Sequence, residues 1–220
     1  MIRNLYLILV LILTVLAVMT LEKLRYRSSR TLDEILYVKN NPDLYLRVLQ
    51  NRWLRLLYSD STIENYRLNA YLMTGNQKKT EDTFKYLDTK KFSKGEALDY
   101  NMKKLSYYAL HNNREKAKEA LDYIDRNLKD ESLKEESRLI YGIYVLKDTK
   151  LIKKLDAMAS EQTGQVKGLS LFRIAKLYHF DSNDRKAEEY LNRALKYLEK
   201  TAYKAQIIDC LNDLKKLEDY

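Results

Sequence analysis

Residues that break helices and form turns are almost absent from this chain. It has five Gly and one Pro among 220 residues, about 3% where average usage is about 12%. β-Sandwiches and doubly wound sheets need turn residues every few positions, so this scarcity argues against both classes. Hydrophobic residues make up 45% and charged residues 32%, a composition typical of amphipathic helices. The sequence therefore predicts an all-α fold, and its single Cys excludes an internal disulfide and a cysteine-based zinc site.

The most apolar segment is Leu5–Leu21, which is 17 residues long and has no charge, Gly or Pro. As a helix it would be about 26 Å long, near the lower limit of what spans a bilayer. A cleaved signal peptide and a buried core helix are the alternatives. The first needs small residues before its cleavage site, and only Ala17 is small in the second half. The second normally keeps a polar stripe. We interpret the segment as an uncleaved, single transmembrane helix.

Basic residues flank this segment unequally. Before it stands Arg3, and after it stand Lys23, Arg25, Arg27 and Arg30. Because Lys and Arg are retained on the cytoplasmic side, the imbalance predicts a cytoplasmic domain after the anchor, with the opposite topology left open. Residues 1–30 carry five basic residues and one acidic residue, so they hold +4 of the formal net charge of +9. The basic balance is therefore in part a property of the anchor rather than of a nucleic-acid-binding surface.

Helix starts recur after residue 30. A hydroxyl residue is followed three positions later by Glu, the capping-box pattern, at Thr31, Ser61, Ser93 and Ser132. Asn41-Pro42 is a further start, with Pro in the first helical position. These signals predict about ten or eleven helices of 10 to 18 residues. Trp53 is expected in the core of the first helices.

A repeat is superimposed on the helices. Tyr71, Tyr108, Tyr144 and Tyr178 stand near the ends of alternate helices, at spacings of 37, 36 and 34 residues. In the last unit, small residues at Ala175, Ala187 and Ala194 allow two antiparallel helices to approach closely. Larger residues fill the space that remains, and these are Leu171, Ile174, Tyr178 and Leu191.

This spacing resembles the tetratricopeptide repeat (TPR), whose unit is 34 residues long. The match is best in 168–200, weaker in 98–128 and 61–88, and degenerate in 134–160; the family's closing Pro is absent. The resemblance implies a right-handed α-solenoid of antiparallel helix pairs over 31–200. Residues 1–30 would form the anchor and its basic flank, and 201–220 a C-terminal capping helix. A helical bundle without repeats remains the alternative.

The resemblance also implies a concave groove lined by the first helix of each pair. The positions that match the family's groove residues are Asn65, Asn69, Met102, Ser106, Arg138, Phe172 and Lys176. The amides would bond the backbone of an extended peptide, and the cations would hold a carboxylate. Met102 and Phe172 stand where the family members that bind acidic tails have polar residues, so that particular ligand is not expected.

Residues for catalysis are not recognisable. There is no GxGxxG, phosphate-loop or HExxH motif. His111 and His179 are interpreted as exposed residues between helices, Cys210 as a packing residue, and Gly164 with Gly168 as a loosened helix start. No catalytic residue, metal or cofactor is expected.

The sequence therefore predicts a membrane-anchored, non-enzymatic interaction module or scaffold that binds a protein or peptide partner in its groove. No nucleic acid partner is expected. The alternative is a regulatory or signalling protein with a nucleic-acid-linked role, as some bacterial tetratricopeptide proteins are. An enzyme ranks third, since no constellation of catalytic residues is recognisable.

Overall fold

The computed structural model describes residues 2–201 and 203–220, with side chains described from Val10 onward. The described residues are predominantly helical and contain no strand, which confirms the all-α prediction. The helices are α1 (Ile2–Asp33), α2 (Pro42–Val48), α3 (Arg52–Leu57), α4 (Asp60–Met73), α5 (Gln77–Asp88), α6 (Lys94–Leu110), α7 (Arg114–Asn127), α8 (Glu131–Ile140), α9 (Leu151–Glu161), α10 (Gly164–Phe180), α11 (Asp184–Leu198) and α12 (Tyr203–Asn212). Single π-helical turns extend α1 over Glu34–Val38 and α8 over Tyr141–Val145, and a 3₁₀ helix covers Leu214–Glu218.

The chain forms two compact units, unit 1 (Met1–Glu96) and unit 2 (Ala97–Tyr220). The core of unit 1 joins the end of α1 to α2, α3 and α4 through eight buried residues: Leu32, Ile35, Leu36, Tyr45, Leu49, Leu54, Ile63 and Ala70. Trp53 takes no part in this core. Its side chain is 73% exposed, so the expectation of a core position is wrong.

Helix α1 runs without a break through residues that the sequence pattern assigned to a boundary. The Thr31 hydroxyl donates to the Arg27 carbonyl at 3.0 Å, inside the helix, so the predicted start at Thr31 is wrong. Thr14 and Thr20 also donate to carbonyls one turn earlier, each at 2.8 Å. The apolar side chains of α1 between Val10 and Leu24 are exposed.

The anchor prediction, Leu5–Leu21, extends in part over residues outside the described side chains, since those before Val10 are not described. Within the described part of the chain, no helix combines the length and the apolar character needed to cross a membrane.

Among the other predicted starts, Ser93 is confirmed. The Ser93 backbone N–H donates to the Glu96 carboxylate at 3.1 Å, and the Glu96 N–H donates to the Ser93 hydroxyl at 3.4 Å. Asn41 also caps α2 as predicted. Helices α4 and α8 begin earlier than predicted, because Ser59 and Asp130 act as their caps.

Three of the hairpin turns have the same construction. In the first, the Asn76 N–H donates to the Tyr71 carbonyl at 3.0 Å, Gly75 takes a left-handed conformation, and the Asn76 side chain caps α5. The Lys79 ammonium then lies over the Tyr71 ring. The other two turns use Tyr108, Asn112, Asn113 and Lys116, and Tyr178, Ser182, Asn183 and Lys186. The tyrosine series therefore marks a recurring turn at three of its four positions.

The turn after α8 has a different construction. Its left-handed residue is Lys147, and the Asp148 N–H reaches back to the Gly142 carbonyl at 2.9 Å across the π-helical turn. The same pattern closes α1, where Asn40 is left-handed and the Asn41 N–H donates to the Ile35 carbonyl at 3.1 Å. A π turn adds a residue to the helix, so Tyr144 does not occupy the position of the other three tyrosines.

The helix pair α10–α11 dominates the core of unit 2. Six residues of the predicted packing face are buried as expected, and these are Leu171, Ile174, Ala175, Ala187, Leu191 and Ala194. The seventh, Tyr178, is partly buried against them. The two helices approach closely at Gly168, where an added Cβ would lie 2.6 Å from the Leu198 Cγ. Gly168 thus serves helix packing rather than a loosened helix start.

The C-terminal segment is a helix followed by a return turn, not a single capping helix. Asp213 ends α12 and caps the 3₁₀ helix by accepting from the Lys215 N–H at 3.1 Å. The 3₁₀ helix then packs on α10, and Leu217 is fully buried there. The last residues therefore lie against α10.

Candidate functional site

Unit 2 contains a cleft of about 320 Å³. Its walls come from the ends of α6 and α8, the middle of α10, the start of α12 and the C-terminus. The lining residues are Ser106, Leu110, Ile140, Tyr144, Arg173, Tyr203, Gln206, Asp219 and Tyr220. Helices α6, α8 and α10 each come first in a helix pair, so one face of unit 2 collects side chains from successive first helices.

Arg173 is the central cation of this cleft. Its guanidinium donates to the Glu136 carboxylate at 2.5 Å and is hydrogen-bonded to the Tyr144 hydroxyl. Burial by itself would lower the pKa of Arg173, but the Glu136 carboxylate outweighs it and the pKa is raised. Burial raises the pKa of Tyr144 above its ordinary value. Both groups therefore keep their protons at neutral pH, and the cleft presents the Arg173–Glu136 ion pair together with hydroxyl groups.

The C-terminal residues form one wall of the cleft. The Tyr220 hydroxyl donates to an Asp209 carboxylate oxygen at 3.0 Å, and the Lys216 ammonium binds the other oxygen of Asp209 at 2.5 Å. These two bonds hold the last turn against α12. The position of Asp219 and Tyr220 in the cleft thus depends on Asp209.

A much smaller cavity, of about 20 Å³, adjoins the cleft at Tyr144 and Leu110. It contains Lys176, which is only 2% exposed. The Lys176 ammonium donates to the Leu217 carbonyl at 2.5 Å and lies 4.8 Å from the centre of the Tyr144 ring. Burial, reinforced by the nearby Lys147, lowers the pKa of Lys176 from 10.5 to about 8. This amine is a core residue that ties the C-terminal turn to α10.

The structure brings one predicted groove residue, Ser106, into the cleft. Arg138 faces elsewhere: it pairs with Asp125 of α7 at 2.9 Å and lines a separate cavity with Lys154 of α9. Phe172 and Lys176 are buried in the core. On α10 the cleft residue is Arg173, one position after Phe172, so the predicted groove position is offset by one residue there.

The remaining predicted positions are not in the cleft either. Asn65 is 6% exposed in unit 1, and the Asn69 side chain is hydrogen-bonded to Tyr45. Met102 is half-buried on α6, one turn before Ser106. Asn65 and Asn69 therefore belong to the packing of unit 1.

Sequence reasoning missed Arg173, Tyr203 and Gln206. One signal was available for the first: Arg173 and Lys176 stand three residues apart within an otherwise apolar stretch of α10. Two cations on one side of an apolar helix need either solvent or partners. No comparable signal marks Tyr203 or Gln206, whose place in the cleft depends on how α12 packs.

The other candidate groups are the two histidines and the single cysteine. His179 is half-buried and its Nδ1 lies 2.8 Å from the Asp184 carboxylate, while His111 Nδ1 contacts the Tyr107 carbonyl. Cys210 is buried in the core of unit 2, as predicted, and burial raises the pKa of its thiol to about 11. Among the described residues, no group of three or more His, Cys, Asp or Glu side chains is arranged to hold a metal ion.

The sequence and the structure were compared with known proteins. No family model matches the sequence, and no curated protein or solved structure matches it significantly.

Proposed function

We propose that this chain is a membrane-anchored, TPR-like interaction module that binds a peptide segment of a protein partner in the cleft of unit 2. The observation that carries the proposal is the lining of the cleft, to which α6, α8, α10 and α12 each contribute side chains. A face built from successive first helices is how helical repeat proteins make a binding surface.

The recurring turn supports the repeat part of the proposal. Three turns share a tyrosine carbonyl, a left-handed residue, an Asn cap and a Lys over the tyrosine ring. Since such details include backbone geometry, they are stronger support for a repeat than tyrosine spacing alone. The small residues between α10 and α11 are further support for a TPR-like pair.

The anchor part of the proposal is supported by the surface of α1. Large apolar side chains are exposed along the helix from Val10 to Leu24. Water disfavours such a surface, and a bilayer favours it. Thr14 and Thr20 bond to their own helix, which is how a hydroxyl is satisfied in lipid. The basic residues after Leu21 favour a cytoplasmic location for the part of the chain that follows the anchor.

The chemistry of the cleft fits an extended peptide. Leu110 and Ile140 offer apolar contact, whereas Ser106, Tyr203 and Gln206 offer hydrogen bonds to a peptide backbone. A volume of about 320 Å³ lies at the lower end of the range for ligand pockets. The cleft therefore suits a few side chains of a longer segment.

The test is a substitution that fills the cleft. Ser106→Trp in the full chain, expressed in its native membrane, is expected to abolish recovery of a discrete partner by proximity labelling. Ser160→Trp is the matched control, because Ser160 is also an exposed serine of unit 2 but lies on α9 and outside the cleft. Equal recovery of the partner with both variants would show that the cleft is not the binding site.

Topology is tested separately. Cys210 is the single Cys, so a Cys210→Ser chain carrying Gln50→Cys has one exposed thiol in unit 1. A cytoplasmic domain predicts that a membrane-impermeant reagent labels this thiol only after the cells are opened. Labelling of this thiol in intact cells would show that the domain after the anchor lies outside the cytoplasm.

A further inference from the structure

Helix α3 carries an exposed patch that combines apolar and basic residues. Trp53 and Leu56 are 73% and 74% exposed. They stand three residues apart and therefore share one side of the helix. Arg52 and Arg55 are also exposed, while Leu54 is buried in the core of unit 1. We call Arg52, Trp53, Arg55 and Leu56 the α3 patch.

The end of α3 is fixed to the basic end of the apolar helix. The Arg25 guanidinium donates to the Leu57 carbonyl at 2.8 Å, and the Tyr58 hydroxyl donates to the Arg25 carbonyl at 2.6 Å. The Ser28 hydroxyl lies 2.8 Å from the Tyr58 hydroxyl. Arg25 follows Leu21 by four residues, which is about 6 Å of helix. The α3 patch is thus attached close to the level at which the apolar segment ends.

We propose that the α3 patch is a second membrane contact, which inserts Trp53 and Leu56 at the boundary between headgroups and acyl chains of an anionic bilayer. This inference rests on the proposed anchoring of α1. Trp is enriched at this boundary because its ring is apolar and its N–H can stay hydrated.

The charge of the patch selects the lipid class. Its four residues hold two positive charges and no negative charge, and Arg25 and Arg27 on α1 add two more. Arginine beside an apolar side chain favours anionic phospholipid headgroups. The contact would hold unit 1 at a fixed orientation to the bilayer instead of on a free tether.

Trp53 is the chain's single Trp, so fluorescence tests the proposal without any substitution. The full chain is reconstituted into vesicles of phosphatidylcholine and phosphatidylglycerol. We expect Trp53 emission at shorter wavelength than in the denatured chain, loss of intensity with lipids brominated on the acyl chain, and protection from aqueous iodide. Emission that iodide quenches and brominated lipid leaves unchanged would overturn the proposal.

Two controls separate the possible outcomes. Vesicle flotation and carbonate extraction report on α1: a chain that does not remain with the vesicles refutes the anchor and, with it, this inference. A chain that floats but keeps Trp53 in water refutes this inference alone. Protection from iodide without quenching by brominated lipid would assign the patch to a contact with a second copy of this chain, and would also overturn the proposal.

The basic residues are tested by substitution. Arg52→Ser with Arg55→Ser is expected to reduce quenching by brominated lipid in the anionic vesicles and to leave it unchanged in pure phosphatidylcholine. Arg114→Ser with Arg185→Ser is the matched control, since both arginines are exposed in unit 2, and it should have no effect. An equal loss in both lipid mixtures would refute the electrostatic part of the proposal.

Discussion

Replacing Lys176 by Met is expected to abolish a rise in the stability of unit 2 between pH 7 and pH 10. In the native chain the Lys176 ammonium is buried beside Tyr144 and bonded to the Leu217 carbonyl. Burial and the charge of Lys147 lower its pKa from 10.5 to about 8. The charged form is therefore less favourable in the folded chain than in the unfolded chain.

The sign of the effect follows from the protons bound. Between pH 8 and 10.5 the unfolded chain binds more protons at Lys176 than the folded chain, so the free energy of unfolding rises with pH. Below pH 8 the amine is charged in both states and its full penalty applies. A difference between pKa values of 10.5 and about 8 corresponds to about 3 kcal/mol. Because part of the gain comes above pH 10, we expect about 2.5 kcal/mol between pH 7 and pH 10.

Cys210 provides an assay specific to unit 2. It is the single Cys of the chain and lies in the core of unit 2, so a thiol reagent labels it only when that core opens. Labelling of the full chain in detergent at increasing urea gives the free energy of unfolding at each pH. Burial raises the pKa of the Cys210 thiol to about 11, so the folded thiol keeps its proton over the range compared.

The comparison is made between variants at each pH. Lys153→Met is the matched control, because it makes the same substitution at a residue of α9 that is exposed to solvent. The control should keep the wild-type rise, and Lys176→Met should lose it. Parallel pH profiles for the wild type and Lys176→Met would refute the reasoning, whatever their difference at pH 7.

Three further changes test the packing. Gly168→Ala places a Cβ against Leu198 and is expected to destabilise unit 2 by about 1 to 3 kcal/mol in the Cys210 assay; no loss would show that α10 and α11 can separate freely. Gly95→Ala adds a Cβ with nothing within 4 Å and should stabilise the chain by about 0.5 to 1 kcal/mol in urea unfolding followed by circular dichroism, so a loss would contradict the open site. Asn183→Ala removes the cap on the Lys186 N–H and should cost about 1 kcal/mol, measured by Cys210 labelling, whereas Asn183→Asp should retain most of the stability.

The helical class and the closest helix pair could be predicted from local features. Ala175, Ala187 and Ala194 stand where two helices meet, and their small size is visible in the sequence as well as in the packing. The Ser93 and Asn41 caps could also be predicted from the sequence, because a cap depends on residues within one turn of each other.

The helical register of the predicted unit that contains Tyr144 could not be obtained from the sequence. The tyrosine series treats Tyr144 as equivalent to Tyr108 and Tyr178, but the π turn at Tyr141–Val145 adds a residue before the left-handed Lys147. A π turn depends on which neighbours pack around it and has no reliable sequence pattern. The predicted groove residue Arg138 therefore faces Asp125 instead of the cleft.

Periodicity, caps and charge are local properties, and they are sufficient to predict a set of amphipathic helices with one uncharged apolar segment. Which side chains meet depends instead on how the helices pack. Helix packing buries Lys176 against the C-terminal turn, places Arg173 in the cleft and leaves Trp53 exposed on α3. The physical reason is that burial depends on the angle and register at which helices pack, and a shift of one residue turns a helical side chain by about 100°.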